Sequence, residues 1–228
     1  GANILNDYFD YDTDKINRPD RSIVNGDITR EQALYLSLIS FIIGVYFSLR
    51  LSYNSQIISL WISLPLLFLY NAKIKNYPLI GNIIVSLIIG LSFIYAGVVF
   101  ENVKPLIVPS LLAFGLTLIR EIVKDIADFK GDEAIGARTL PIVFGKQKAI
   151  YFCTILSILL SMAAFTLFLN GYYNFYYGVL LIITVEIPLG VVVISLLNKP
   201  HIGTAKKAAK LLKFCTLGGL FSIYIGTL

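Results

Sequence analysis

Asn6-Asp7-Tyr8-Phe9-Asp10-Tyr11-Asp12-Thr13-Asp14 places four carboxylates in nine residues of a chain that is otherwise overwhelmingly apolar. On a helix turning about 100° per residue, Asn3, Asn6, Asp7, Asp10 and Asp14 fall within an arc of roughly 100°, and Asp12 points the other way. Like charges three and four residues apart repel, so a helix tolerates such a row when a cation neutralises it. Carboxylate and amide oxygens suit a hard divalent ion. Mg²⁺ is the expected one, because it takes one or two carboxylates and completes its shell with water and substrate phosphate.

Around this stretch the composition is that of a membrane protein. The chain has 228 residues, 57% hydrophobic, only 14% charged and with a single His, and its mean hydropathy is +0.76. Soluble domains carry about 25% charged residues, which excludes a water-soluble globule. The net charge of +5 comes from basic residues at helix ends and forms no stripe along one face, so no nucleic acid partner is expected. Cys153 and Cys215 lie inside apolar runs and read as small core residues, neither a disulfide nor a metal pair. The chain starts with Gly, and a helix ending near Asp14 needs about 20 residues to cross a bilayer. A preceding N-terminal segment is therefore expected.

After Asp14 a polar loop with Pro19 and Asn25-Gly26 breaks the pattern, and Thr29-Arg-Glu-Gln32 forms a capping box that starts a helix. Apolar runs follow at 31–50, 55–71, 78–100, 104–128, 147–169, 175–197 and 205–228, making seven spans after the partial first helix. Pro65 and Pro188 fall inside runs, where a membrane helix accepts a kink. Alternate loops concentrate the positive charge in Lys15, Arg18, Arg21 and Arg30; Lys73 and Lys75; Lys130, Arg138, Lys146 and Lys148; and Lys199, Lys206, Lys207 and Lys210. The intervening loops hold only Arg50 and Lys104. The positive-inside rule makes the first set cytoplasmic in a multi-pass cell-membrane protein, with Tyr172, Tyr173, Tyr176 and Tyr177 as an aromatic belt on the other side.

The run 104–128 ends in Arg120-Glu-Ile-Val-Lys-Asp-Ile-Ala-Asp-Phe-Lys-Gly-Asp132, a second acidic row. At about 100° per residue, Glu121, Asp125, Asp128 and Asp132 lie within roughly 60°, bordered by Lys124; fraying at Gly131 would move Asp132 off that face. Both rows sit at cytoplasmic helix ends, so they can face one cavity, and two carboxylate walls with Mg²⁺ between them make a diphosphate site. Two other readings of the acids exist: solvated helix ends near the headgroups, and an ion or proton pathway. A pathway favours single carboxylates spaced through the bilayer, and only Glu186 lies deep in a run, where it is expected to bond a neighbouring helix. A cation or proton transporter would also show internal repeats with broken helices at midplane, and no clear repeat is present.

Together, Asn6-Asp7-x-x-Asp10-x-x-x-Asp14, Asn17-Arg-Pro-Asp-Arg21, Asp125-x-x-Asp128-x-x-x-Asp132 and Gly136-Ala-Arg-Thr-Leu-Pro141 resemble the UbiA superfamily of intramembrane prenyltransferases. The resemblance covers essentially the whole chain. It implies an all-α polytopic transmembrane bundle of nine helices, of which eight are present here and the first is missing, forming one membrane-embedded domain over 1–228 that is incomplete at its N-terminus. One departure is Arg21-Ser22, where many members read Arg-Pro.

Within the superfamily, Lys124 to Asp132 and the Gly-Ala-Arg-Thr-Leu-Pro segment are most similar to the archaeal digeranylgeranylglyceryl phosphate synthases. That resemblance implies Mg²⁺-dependent transfer from geranylgeranyl diphosphate to geranylgeranylglyceryl phosphate in ether-lipid synthesis, with the active site on the cytoplasmic side. The alternative is an aromatic acceptor of a quinone, chlorophyll or tocopherol-like pathway. The implied metal ligands are Asn6, Asp10, Asp14, Asp128 and Asp132, supported by Asp7 and Asp125, the six aspartates forming the catalytic set. Asn3, Asn6, Lys15, Arg18, Arg21, Lys124 and Arg138 are the implied substrate contacts. Tyr8, Tyr11, Tyr70, Phe93, Tyr95 and Phe114 are candidates for an aromatic wall that keeps water from an allyl cation.

Overall fold

In the computed structural model every regular element among the described residues, 1–72 and 74–228, is helical. Lys73, counted above among the loop cations, lies outside the described residues. Two short helices open the chain, α1 (Ala2–Phe9) and α2 (Tyr11–Asn17), separated at Asp10. Then come α3 (Arg30–Ser48), α4 (Tyr53–Ala72), α5 (Ile80–Val99), α6 (Lys104–Ala134), the one-turn α7 (Leu140–Phe144), α8 (Lys146–Leu169), α9 (Phe175–Asn198) and α10 (Ile202–Gly226). All but α1, α2 and α7 are long and apolar enough to cross a membrane, seven in number as expected.

Local chemistry accounts for the ends and bends. The capping box at Thr29 forms: its hydroxyl accepts from the Gln32 amide at 3.2 Å, and the Gln32 side chain accepts from the Thr29 amide at 3.0 Å. Pro65 and Pro188 do not break their helices. Each follows a π-helical stretch, Ile57–Ser63 and Ile182–Glu186, whose wider turn absorbs the lost N–H and the clash that proline makes with the carbonyl four residues back. Helix α2 stops at Asn17 because Arg18 precedes Pro19, which drives Arg18 out of helical geometry (φ −146°, ψ 66°).

Helix α6 continues past the apolar run that ends at 128 and past Gly131, without fraying there, to Ala134. Its acidic last turns stay helical because their charges find partners, so Asp132 keeps its place on the acidic face. Helix α10 begins at Ile202, three residues before the apolar run, since a polar first turn is invisible to hydropathy.

Helix α6 is the axis of the bundle. Ile119, Ile122, Val123 and Ile126 are buried against Ile150 and Cys153 of α8, Leu189, Val192 and Leu196 of α9, and Leu212 and Cys215 of α10. The two cysteines are free and buried, as core residues should be. The outer faces carry Tyr35, Ile42, Trp61, Leu111, Met162 and Phe214, all exposed, as lipid-facing helices require. Glu186 meets α8 through the Ser161 hydroxyl, which donates to it at 2.5 Å, the interhelical bond expected of a polar group in lipid.

Candidate active site

Four loops converge at one end of the bundle, and the acidic rows meet there. Asn17, buried at the end of α2, grips α6 with both ends of its amide: Nδ2 donates to the Asp128 carbonyl at 2.9 Å and Oδ1 accepts from the Gly131 amide at 3.1 Å. Only glycine allows this approach, because a Cβ on residue 131 would lie 2.7 Å from Asn17 Cγ. Lys206, in the first turns of α10, donates to the Asn17 carbonyl at 3.2 Å. From the loop before α5, Lys75 pairs with Asp10. That loop packs tightly on Gly81, where a Cβ would meet Lys75 Cα at 3.0 Å.

Acids and bases interleave within this cluster. Arg18 pairs with Asp128 at 2.5 Å across the gap between α2 and α6. Arg21 pairs with Asp7 and reaches Asp14 at 3.8 Å. Asp10 accepts from Asn6 Nδ2 at 2.6 Å as well as from Lys75. Asp132 accepts from the Thr139 hydroxyl at 3.1 Å, and Asp125 from Asn82 Nδ2 at 2.9 Å. Glu121 takes Arg120 at 2.7 Å and Lys124 at 2.6 Å. The charges of Asp10 and Asp128 both act on Asp132, and Tyr70 stands amid those of Glu121, Asp10, Asp125 and Asp132.

On the short polar helix α2, outside the spans, burial pushes the Asp14 carboxyl up to about 6. Arg18 pulls it down, while Asp10 and Asp128 push it further up. Among the described residues, no three acid, His or Cys side chains are gathered tightly enough to cage an ion. The donor set nevertheless fits Mg²⁺, an ion that uses one or two carboxylates and leaves the rest of its shell to water and phosphate. Asp10, Asp14, Asp128 and Asp132 would supply carboxylate oxygens, and Asn6, whose Nδ2 donates to Asp10 at 2.6 Å, would add its amide oxygen.

Of the residues singled out from sequence, Asn6, Asp7, Asp10, Asp14, Arg18, Arg21, Asp128 and Asp132 come together, with Lys124 and Asp125 along the same helix. Asn3 and Arg138 are exposed. Lys15 turns away, pairing with Asp12 at 3.3 Å and lying over the Tyr11 ring. Lys75, Asn82 and Lys206 were missed. Asn82 had a readable signal, since an amide in an apolar run must find a partner in lipid. Lys75 and Lys206 carried only the topology signal that all loop cations share.

This arrangement, a lipid-embedded helical bundle with two facing acidic rows and cations between them, has known counterparts. The profile of the UbiA prenyltransferase family matches residues 1–214, so the chain belongs to that family and is an intramembrane prenyltransferase. Within it, the chain is similar to the digeranylgeranylglyceryl phosphate synthases. It is 37% identical to that of Pyrococcus horikoshii over 227 residues, covering 100% of this chain and 80% of the relative, and 36% identical to that of Saccharolobus solfataricus over 231 residues, with the same coverage. A solved structure described as giving insights into digeranylgeranylglyceryl phosphate synthase in membranes superposes with a TM-score of 0.74 and 34% identity, covering 99% of this chain and 80% of that one. A UbiA homologue from Archaeoglobus fulgidus, bound to DMAPP and Mg²⁺, shares the fold at a TM-score of 0.59 and 16% identity, covering 98% and 83%.

Proposed function

We propose that the protein transfers a geranylgeranyl group from geranylgeranyl diphosphate to the free hydroxyl of geranylgeranylglyceryl phosphate, with Mg²⁺, at the cytoplasmic face of the cell membrane. The observation that carries this reading is the meeting of the α1–α2 and α6 acidic rows, joined by Asn17 and interleaved with Arg18, Arg21 and Lys75, in a chain 37% identical to a digeranylgeranylglyceryl phosphate synthase. The Archaeoglobus homologue, bound to a prenyl diphosphate and Mg²⁺, supports the same chemistry.

In the proposed reaction the allylic C1–O bond breaks with its electron pair going to the diphosphate. The acceptor hydroxyl oxygen then bonds to C1 and passes its proton to the departing diphosphate, leaving an ether and protonated diphosphate. Mg²⁺, when bound, supplies Lewis-acid neutralisation of the leaving diphosphate; Asn6, Asp10, Asp14, Asp128 and Asp132 would hold it, with Asp7 and Asp125 in support. Arg18, Arg21 and Lys75 sit on these carboxylates and reach phosphate oxygens by short side-chain turns, giving charge-assisted bonds that strengthen as the leaving group gains charge. Asn82 keeps Asp125 oriented, and Asn17 sets the spacing between the two walls. The prenyl tail extends into lipid, where water cannot reach the cationic carbon.

The metal-dependent core of this reading is tested by Asp10→Asn and Asp128→Asn. Each is expected to abolish turnover while the protein remains folded and inserted. EDTA should stop the wild type and added Mg²⁺ restore it. Full activity in either variant, or indifference to EDTA, would sink the two-wall site.

A further inference from the structure

The acidic row of α6 continues into the membrane as a cationic one. Arg120, Lys124 and Asp128 are spaced four apart and share a stripe of the helix, beside the stripe of Glu121 and Asp125. Lys104 opens α6 at the far end. At a rise of about 1.5 Å per residue, Arg120 then lies roughly 24 Å along the helix and Lys124 roughly 30 Å, so Arg120 falls inside a hydrocarbon layer about 30 Å thick and Lys124 at its edge. A cation at that depth is costly and marks a function.

The pair is only partly neutralised. Among the described residues Glu121 is the one carboxylate in ion-pair contact with them, accepting from Arg120 Nη1 at 2.7 Å and Lys124 Nζ at 2.6 Å, while Asp125 and Asp128 act on Lys124 without an ion-pair contact. Arg120 Nε is buried with no hydrogen-bond partner among the described residues. A buried guanidinium N–H left open costs energy unless an acceptor arrives.

Resting on the proposed lipid synthesis, we infer that Arg120 and Lys124 form the anion pocket for the phosphate of the glyceryl phosphate acceptor, separate from the metal site that takes the donor diphosphate. The geometry of the donor motivates this. Its diphosphate lies at the carboxylates and its tail runs into lipid, so C1 is on the membrane side of the metal site. An acceptor hydroxyl that attacks C1 must come down to that level, and its phosphate, one carbon away, comes with it. Drawing a dianion below the interface is favourable only where cations receive it, and Arg120 and Lys124 are partly buried ones. Lys124 and Arg120 lie about one and two turns, respectively, to the membrane side of Asp128. Glu121 is then a positioning residue that holds the cations until the phosphate replaces it.

The test compares geranylgeranylglyceryl phosphate with its dephosphorylated counterpart, geranylgeranylglycerol, in proteoliposomes. Arg120→Gln should raise KM for the phosphorylated acceptor by about tenfold, the loss of one charge-assisted contact, and leave KM for geranylgeranylglycerol and for geranylgeranyl diphosphate within about twofold. Glu121→Gln keeps both cations and removes their competitor, so it should lower KM for the phosphorylated acceptor alone; it decides the matter if Arg120→Gln fails to fold. A rise confined to the donor, equal rises for both acceptors, or no change in either variant would overturn the assignment. Failure of the underlying reading looks different: the unmutated protein would use neither glyceryl acceptor and would prenylate an aromatic one.

Discussion

Gly131→Ala probes the joint between the two acidic walls. Elsewhere in a helix this change stabilises by up to about 1 kcal/mol through propensity. Here the new methyl group would lie 2.7 Å from Asn17 Cγ, so it expels the amide that ties α2 to α6. Two hydrogen bonds are lost, about 0.5–1.5 kcal/mol each, and overpacking adds about 1–3 kcal/mol. The joined arrangement therefore weakens by about 2–6 kcal/mol, at least thirtyfold in population at about 1.4 kcal/mol per factor of ten. Activity should fall accordingly, because Arg18 and Asp14 lose their position opposite Asp128.

Asn17→Ala forfeits the bonds without the clash and should cost about 1–3 kcal/mol. The double variant has room for the methyl group, so kcat/KM in proteoliposomes should match Asn17→Ala and exceed Gly131→Ala alone. Additive losses in this cycle would refute the clamp.

Two further expectations concern orientation and pH. Single-Cys labelling should place Asn25, Lys75, Lys146 and Lys207 on the cytoplasmic side and Tyr53, Asn102 and Asn170 opposite; Lys75 and Lys146 on different sides would break the shared site. Because burial holds the Asp14 carboxyl up to about 6, it is charged above that pH and protonated below it. Protonation removes a metal ligand, so the Mg²⁺ concentration for half-maximal rate should rise as pH falls through 6; a requirement unchanged between pH 7 and 5 would count against Asp14 as a ligand.

Much of this architecture was legible before any coordinates. Spans follow from hydropathy, and the acidic rows stand out because carboxylates are rare and costly in so apolar a chain. The start of α3 was written in Thr29 and Gln32, whose bonds are local. What could not be read is what joins distant segments. Asn17 and Gly131 are 114 residues apart and neither is unusual alone; their match exists only once α2 lies on α6. Lys75 and Lys206 look like any cation flanking a span. Helical spacing placed Asp132 on the acidic face of α6, but what holds those last turns could not be read, because Arg18 and Thr139, the partners of Asp128 and Asp132, lie outside the run.

The central claim is the identity of donor and acceptor, and one incubation addresses it directly. The purified protein in liposomes receives labelled geranylgeranyl diphosphate, Mg²⁺ and equal concentrations of geranylgeranylglyceryl phosphate, 4-hydroxybenzoate and homogentisate. The account predicts that label enters the glyceryl phosphate ether and no aromatic product; efficient prenylation of either aromatic with geranylgeranylglyceryl phosphate left untouched would contradict it.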